Sequence, residues 1–143
     1  MSVNSITLME AYLIEHLRNN GMSDEEILNK VKEKDVDSLQ KIKPNLDFNG
    51  LIELYGQDEQ AFESIMSDGY RVKFLTFNGL KNLLNIKFKK VEEEDYQLLE
   101  KGITGLHVTE DELNAIRKIL SNNWKVQEEE TDQDGQRKVS IVL

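Results

Sequence analysis

The sequence predicts a mainly α-helical fold, a compact multi-helical domain of short capped helices that ends in a C-terminal β-hairpin. Three observations predict it: helix-capping signals, a nine-residue phrase that occurs twice, and alternating apolar and polar residues near the C-terminus. An α+β fold with a small antiparallel sheet is the alternative. For a chain of 143 residues we expect a single domain, 1–143, helical over 5–122 with the β-hairpin at 123–143.

Helix starts are the clearest local signals. Ser23 with Glu26, and again Thr109 with Glu112, have the spacing of a capping box, in which the N-cap hydroxyl and the N3 carboxylate each bind a free main-chain amide. Further N-caps are expected at Ser5 or Thr7, at Asp35 or Asp37, and at Asp58. Apolar residues at helical spacing follow each of these positions, so a series of short amphipathic helices is predicted.

The repeated phrase predicts two more helix starts. Residues 46–54 return as 75–83, and the two copies share Leu-x-Phe-Asn-Gly-Leu in register. Asp47 or Thr76 is the expected N-cap of each copy. The leucines on either side of each cap have the spacing of a hydrophobic staple, which predicts that the leucines of both helices are buried.

Two further segments follow different patterns. Residues 70–75 alternate apolar and basic side chains, which is typical of a strand or of an extended connector. Residues 92–100 predict a further helix, with Gly102 as the residue just beyond its end.

The C-terminal segment predicts a β-hairpin. Apolar and polar residues alternate at 124–127 and again at 139–143, with turn-forming residues between them at 131–135. A frayed acidic tail is the alternative. The strand at 139–143 is expected at an exposed edge, where it could pair with another chain. Tryptophan is enriched at interfaces, although a single tryptophan more often closes a core. Trp124, the only tryptophan of the chain, and Ile141 of this strand are the candidate interface residues.

Composition excludes several classes of protein. The chain is 38% hydrophobic and 31% charged, with no long apolar run of the kind that crosses a membrane. The absence of cysteine excludes disulfides, thiol nucleophiles and zinc-thiolate sites. We expect a soluble cytoplasmic protein without a secretory signal, a membrane association or a cofactor.

Charge is distributed unevenly along the chain. The net charge is −9, yet residues 69–91 contain no Asp or Glu. The cations of that segment are Arg71, Lys73, Lys81, Lys87, Lys89 and Lys90. Cations interleaved with aromatic residues are typical of nucleic-acid or phosphate binding, because they displace counterions while the rings stack on bases. The overall acidity counts against this role, and the lysines could equally be the solvated side of a core.

Motifs for catalysis or metal binding are missing. His16 and His107 lack metal-ligand spacing, and no nucleophile or nucleotide-binding motif is present. The acidic residues at 130–135 match the first half of an EF-hand loop, but Ile141 stands where that loop needs a bidentate Glu. We therefore expect a non-enzymatic protein-interaction or regulatory module, with a protein partner or self-association. Nucleic-acid or phosphate binding is the alternative, and an acid–base enzyme built on carboxylates is the third hypothesis.

Overall fold

The structure, a computed structural model, describes residues 4–131 and 136–143, with the side chains of 130 and 131 excepted. The chain divides into two compact units, Met1–Lys73 and Phe74–Leu143, called unit 1 and unit 2 below. The expectation of a single domain stays a prediction. In the described ranges, no helix combines the length and the apolar character needed to cross a membrane.

Unit 1 is built from short helices and one pair of parallel strands. The helices are α1 (Leu8–Asn19), α2 (Asp24–Lys32), α3 (Val36–Ile42), α4 (Asn49–Gln57) and α5 (Glu59–Asp68). Strand β1 (Ser5–Ile6) pairs in parallel with β2 (Arg71–Val72), which agrees with an extended conformation for residues 70–75. The core includes the fully buried side chains of Ile6, Ile14, Leu17, Ile27, Leu39, Phe48, Leu51, Phe62 and Val72.

Predicted caps begin most helices of unit 1. Thr7 and Ser23 each accept a hydrogen bond from the N3 amide and complete a capping box with the N3 glutamate. Asp35 and Asp58 cap α3 and α5 through a side-chain oxygen. Gly69 follows α5 with a φ of 98°, a conformation that favours glycine, and the helix ends there.

Unit 2 is built on an antiparallel sheet. Its elements are α6 (Phe77–Phe88), β3 (Gln97–Leu99), β4 (Gly102–Val108), α7 (Glu110–Ile119), β5 (Lys125–Thr131) and β6 (Arg137–Val142). The strands are ordered β3-β4-β6-β5, and every neighbouring pair is antiparallel. The buried side chains of β4 and β6 include Ile103, Leu106, Val108, Val139 and Ile141.

A β-bulge keeps one face of β4 apolar. Ile103 and Leu106 are three positions apart, a spacing that places side chains on opposite faces of a regular strand. The register with β6 shifts between them, and Gly105 has a φ of 70°, so both side chains are buried. The bulge also interrupts the period-two alternation from which this strand would have been recognised.

The helix expected at 92–100 is wrong. Residues 91–96 make a turn, closed by a hydrogen bond of 2.7 Å from the Glu93 amide to the Tyr96 carbonyl oxygen. Strand β3 follows and pairs with β4. Pairing with β4 satisfies the main-chain groups of Gln97 and Leu99, and a local pattern does not reveal this tertiary gain.

Gly102 is a strand residue rather than the end of a helix. A Cβ atom at this position would lie 2.2 Å from the Ile141 carbonyl oxygen, so the close approach of β4 to β6 requires glycine. Helices account for 51% and strands for 20% of the described residues. The fold is therefore mixed α+β, as in the alternative, and the mainly α prediction understated the sheet.

The two predicted C-terminal strands are present as the antiparallel pair β5 and β6. The turn between them and the second half of the acidic run at 130–135 fall at 132–135, outside the described residues. The expected edge position of 139–143 is wrong, because β6 pairs with β4 on one side and with β5 on the other. The edges of the described sheet are β3 and β5.

Both copies of the repeated phrase begin helices, but their caps differ. Thr76 is the N-cap of α6, and its hydroxyl accepts a hydrogen bond from the N3 amide. The expected N-cap Asp47 is wrong: the first copy begins its helix at Asn49, with Phe48 at the cap position and no side-chain cap. Asp47 instead accepts a hydrogen bond of 3.0 Å from the Asn49 amide.

Leu51, Leu75 and Leu80 have no exposed area, as predicted. Leu46 and Leu54 of the first copy are only half-buried, so the prediction is wrong for these two leucines.

Candidate functional site

The six predicted cations are divided between the two units. Arg71 and Lys73 belong to unit 1, and the other four, Lys81, Lys87, Lys89 and Lys90, belong to unit 2. Arg71 is half-buried in β2, and its Nε atom is buried without a hydrogen-bond partner, whereas Lys73 is exposed.

Two of the lysines in unit 2 pair with carboxylates of the same unit. The Lys81 ammonium lies 3.6 Å from a Glu92 oxygen and 5.6 Å from the centroid of the Phe77 ring. The Lys90 ammonium lies 3.6 Å from a Glu112 oxygen, and the lysine side chain is 18% exposed. Paired ammonium groups gain less from contact with phosphates, so these pairs weigh against a phosphate-binding surface.

The remaining two lysines lie at the end of α6. The Lys87 ammonium is 5.8 Å from the centroid of the Phe88 ring, and Lys89 ends the helix with a φ of 58°. Cations near a helix C-terminus interact favourably with the helix dipole, which accounts for this placement without a ligand. Nucleic-acid or phosphate binding stays a prediction.

Trp124 and Ile141, the candidate interface residues, are buried. Trp124 is 6% exposed: its indole nitrogen donates a hydrogen bond of 2.7 Å to the Leu75 carbonyl oxygen, and its ring meets Phe77 edge to face. Ser121 binds the same segment by accepting a hydrogen bond from the Leu75 amide. Ile141 has no exposed area and lies in the internal strand β6. In this fold both side chains stabilise the interior of unit 2.

The two edge strands of the sheet differ in how well they are protected against pairing with another chain. On β5 the register is irregular between Glu128 and Glu130, and Glu128 pairs with Arg137 and, at 3.7 Å, with Arg117. Irregularities and charges on an edge strand prevent pairing with other chains. Strand β3 has neither, because Gln97, Leu98 and Leu99 are uncharged, exposed and in regular register.

A polar cluster joins β5 to the two neighbouring strands across one face of the sheet. Glu129 accepts hydrogen bonds from Ser140, at 2.5 Å, and from Thr104, at 2.9 Å. These bonds, that of Ser140 first, hold the pKa of the Glu129 carboxyl below its ordinary value. The carboxylate is thus occupied by hydroxyl groups of β4 and β6.

Strand β3 presents unpaired main-chain groups. Glu100 and Lys101 connect β3 to β4 as a two-residue turn, so the flanking residues Leu99 and Gly102 form the hydrogen-bonded pair that closes the hairpin. Hydrogen-bonded and non-hydrogen-bonded pairs alternate along an antiparallel ladder. The main-chain N–H and C=O of Leu98 therefore point away from β4, toward the open side of the sheet.

Exposed apolar side chains concentrate around this strand. The large hydrophobic residues that are exposed in the described chain are Met9, Phe74, Val91, Leu98, Leu99 and Leu143. Leu98 and Leu99 lie on β3, on opposite faces of the sheet, and are 44% and 43% exposed. Val91 begins the turn that leads into β3, and the Leu143 amide donates to the carbonyl oxygen of Lys101 in the β3–β4 turn.

Carboxylates flank β3 at both ends. An acidic run at 92–95 precedes the strand, and Glu100 follows it. The side chains of Glu93, Glu94 and Glu100 are exposed. Close to them, Tyr96 is buried in the turn before β3. Burial, and then the charges of the run at 92–95, raises the pKa of Tyr96, so its phenol is uncharged at neutral pH.

Unit 1 contains a buried polar cluster of its own. Glu15 on α1 is 2% exposed, and one of its oxygens accepts hydrogen bonds from Tyr70, at 2.5 Å, and from Arg18, at 3.1 Å. Arg18 also donates to Asp24 on α2 and to the Met66 carbonyl oxygen of α5. Because this network joins three helices and its charges are paired, it fits a structural role.

Unit 1 has an open depression of about 320 Å³, lined by Val36, Gln40, Pro44, Asn45, Leu46, Asp47 and Asn49. Its Gln40 and Asp47 side chains already accept hydrogen bonds from the main-chain amides of 48 and 49. Among residues 4–131 and 136–143, no three His, Asp or Glu side chains are grouped so that they could hold a metal ion.

Sequence reasoning missed the β3 edge. The available signal was weak: a Glu-Lys pair followed by Gly102, between two short segments that contain leucine or isoleucine. Comparisons of the chain with protein-family models, with curated proteins and with solved structures found no match. The functional conclusion therefore depends on the chain's own geometry.

Proposed function

We propose that the chain is a non-enzymatic protein-interaction module that binds an extended segment of a partner protein along β3. The observation that carries the proposal is the open edge of β3, on which Leu98 and Leu99 are 44% and 43% exposed. Strand addition to such an edge uses main-chain hydrogen bonds for affinity and alternate side chains for specificity.

The register of the sheet supports strand addition. Leu98 is opposite Ile103, and Ile103 is opposite Ile141, so the three side chains lie in one row across β3, β4 and β6. Ile103 and Ile141 have no exposed area, whereas Leu98 ends the row at the open edge. An added strand would extend this row by one position and cover Leu98, and it would cover Leu99 on the opposite face.

The size of β3 predicts a weak and reversible association. Leu98 is the residue of β3 that directs both main-chain groups outward. Covering the exposed part of each leucine contributes roughly 1 kcal/mol, about half of the value for full burial. Small interfaces of this kind are typical of transient encounters, which suits a regulatory module.

The outward amide of Leu98 provides a direct test. We would add a neutral, end-blocked peptide, Thr-Val-Thr-Val-Thr, to isotope-labelled full-length protein and follow the main-chain amides by NMR. We expect shifts confined to residues 96–100 and slower hydrogen exchange of the Leu98 amide. Leu98→Pro removes the outward donor and leaves the β3–β4 hydrogen bonds in place, because an edge strand accepts proline where its N–H faces solvent.

Leu98→Val is the matched control, since it keeps the amide and a β-compatible side chain. We expect Leu98→Pro to abolish the peptide-induced changes and Leu98→Val to retain them. A peptide in which all five residues are N-methylated lacks main-chain donors on both edges, and we expect it not to bind the unaltered protein. Equal binding by Leu98→Pro and wild type, or no change at residues 96–100 with any peptide, would contradict strand addition.

A further inference from the structure

We infer that the segment accepted by β3 is basic and belongs to a partner protein rather than to a second copy of this chain. This inference rests on the proposed strand addition at β3 and specifies the chemistry of the occupant. The observation behind it is that exposed carboxylates stand at both ends of the strand.

The charges lie where an added strand would meet them. Glu93 and Glu94 are exposed just before β3, and Glu100 is exposed just after it. Lys101 is the cation of the adjoining turn, while Glu92 already pairs with Lys81. An added strand lies about 4.8 Å from its neighbour, well inside the screening length of about 8 Å at physiological salt. Side chains at both ends of the added segment would therefore interact electrostatically with Glu93, Glu94 and Glu100.

A second copy of the chain is the wrong occupant on the same grounds. Antiparallel pairing of two β3 strands would bring Glu100 of one chain toward the acidic run at 92–95 of the other. Like charges on neighbouring strands destabilise the pairing, and each chain carries a net charge of −9. A short extended segment with apolar residues at its centre and lysine or arginine at both ends complements the strand and its surroundings.

Three end-blocked peptides test the charge of the occupant. They are Lys-Val-Thr-Val-Lys, Thr-Val-Thr-Val-Thr and Glu-Val-Thr-Val-Glu, and each affinity is read from the Leu98 amide signal of the full-length protein. Because this signal reports binding at β3, diffuse attraction of the basic peptide to other acidic parts of the chain does not contribute to the measured affinity. At about 20 mM NaCl we expect the basic peptide to bind at least about tenfold more tightly than the acidic one, with the neutral peptide between them. At about 300 mM NaCl the ratio should fall to about threefold.

Substitutions in the protein give the reciprocal test. Glu94→Gln combined with Glu100→Gln should lower the affinity for the basic peptide about fivefold and leave the affinity for the neutral peptide unchanged. Glu25→Gln combined with Glu59→Gln is the matched control, because both are exposed carboxylates of unit 1 and the double variant has the same change in net charge. We expect this control to bind all three peptides like wild type.

The outcomes separate this inference from the proposed function. If the three peptides bind at β3 with equal affinity, the basic occupant is contradicted while strand addition stands. If no peptide of any charge binds at β3, strand addition itself is contradicted. If sedimentation shows a dimer that Leu98→Pro dissociates and Leu98→Val preserves, the occupant is a second copy, and the inference of a heterologous basic partner is overturned.

Discussion

Tyr70 donates its phenolic hydrogen to the buried carboxylate of Glu15 over 2.5 Å, and this bond ties the residue before β2 to the middle of α1. Arg18 supplies the positive charge that the same carboxylate needs, at 3.1 Å. A buried carboxylate is stable only when its hydrogen-bonding capacity and its charge are matched. The hydroxyl of Tyr70 is therefore part of the stability of unit 1.

Removing that hydroxyl should destabilise the fold. Tyr70→Phe keeps the buried ring and leaves the Glu15 oxygen with one fewer donor, so we expect a loss of about 1–3 kcal/mol in the free energy of unfolding. Urea denaturation of the full chain measures it. Tyr55→Phe is the control, because the half-buried Tyr55 packs its ring against Phe62, at 5.7 Å, and this contact is retained. A Tyr70→Phe variant as stable as the control would contradict the structural role of this bond.

The same bond predicts a loss of stability in alkali. Burial, and then the charge of Glu15, raises the pKa of Tyr70 well above its ordinary value of 10.0, with Arg18 acting in the opposite direction. Above that ordinary value the unfolded chain loses the phenolic proton while the folded chain keeps it. The folded state then binds more protons, so stability falls as the pH rises, whereas below about pH 9 this group has no effect.

Comparison with Tyr70→Phe isolates this titration from that of the other groups. The stability advantage of wild type over the variant should be constant below about pH 9 and should shrink above about pH 10, by up to about 1.4 kcal/mol per pH unit. Urea denaturation at several pH values measures both curves. An advantage that stays constant through this range would show that Tyr70 ionises like an exposed tyrosine.

The helices were accessible from the sequence because their start signals are local. Thr7, Ser23 and Thr109 form the capping boxes that their spacing predicts, since the partner of each cap is three residues away. The sheet was less accessible because its determinants are distant in the chain. Gly102 was interpreted as the end of a helix, and it is glycine because β6, some 40 residues later, passes too close for a side chain.

The site was less predictable than the fold, for a related reason. Exposure of a strand edge depends on strand order, and the pattern at 139–143 does not show that β6 has a neighbour on each side. Trp124 and Ile141 have the residue types of an interface but are needed inside unit 2. Leucine is an ordinary core residue, and Leu98 and Leu99 are exposed because β3 is an edge strand of the described sheet.

A pair of glycine substitutions tests the packing of that sheet. Gly102→Ala would bring a Cβ atom within 2.2 Å of a β6 carbonyl oxygen, with a φ of 157°, so we expect a loss of about 3 kcal/mol or more. Gly56→Ala is the matched control, because Gly56 lies in α4 with nothing within 4 Å of a Cβ atom. Alanine there should stabilise the chain by about 0.5–1 kcal/mol through its helix propensity. Similar stability of the two variants would contradict the close approach of β4 and β6.

The lysines of unit 2 yield a prediction about nucleic acids. Lys81 and Lys90 are paired with Glu92 and Glu112, and the chain carries a net charge of −9. Binding to a phosphate backbone would have to break these pairs and overcome the overall repulsion. We therefore expect no retardation of single-stranded or double-stranded DNA or RNA in gel-shift assays at low salt.

Two variants let the assay identify which lysines are responsible if any nucleic acid is retarded. Glu92→Gln combined with Glu112→Gln frees both ammonium groups, and retardation that appears only with this variant would show that pairing is what suppresses phosphate binding. Lys87→Ala combined with Lys89→Ala removes the two cations at the end of α6. Retardation of wild type would contradict this expectation. If the second variant then lowers the slope of log affinity against log salt concentration by about two counterions, these two lysines bind phosphate. The nucleic-acid hypothesis would then replace the interpretation of the lysines as a solvated helix surface.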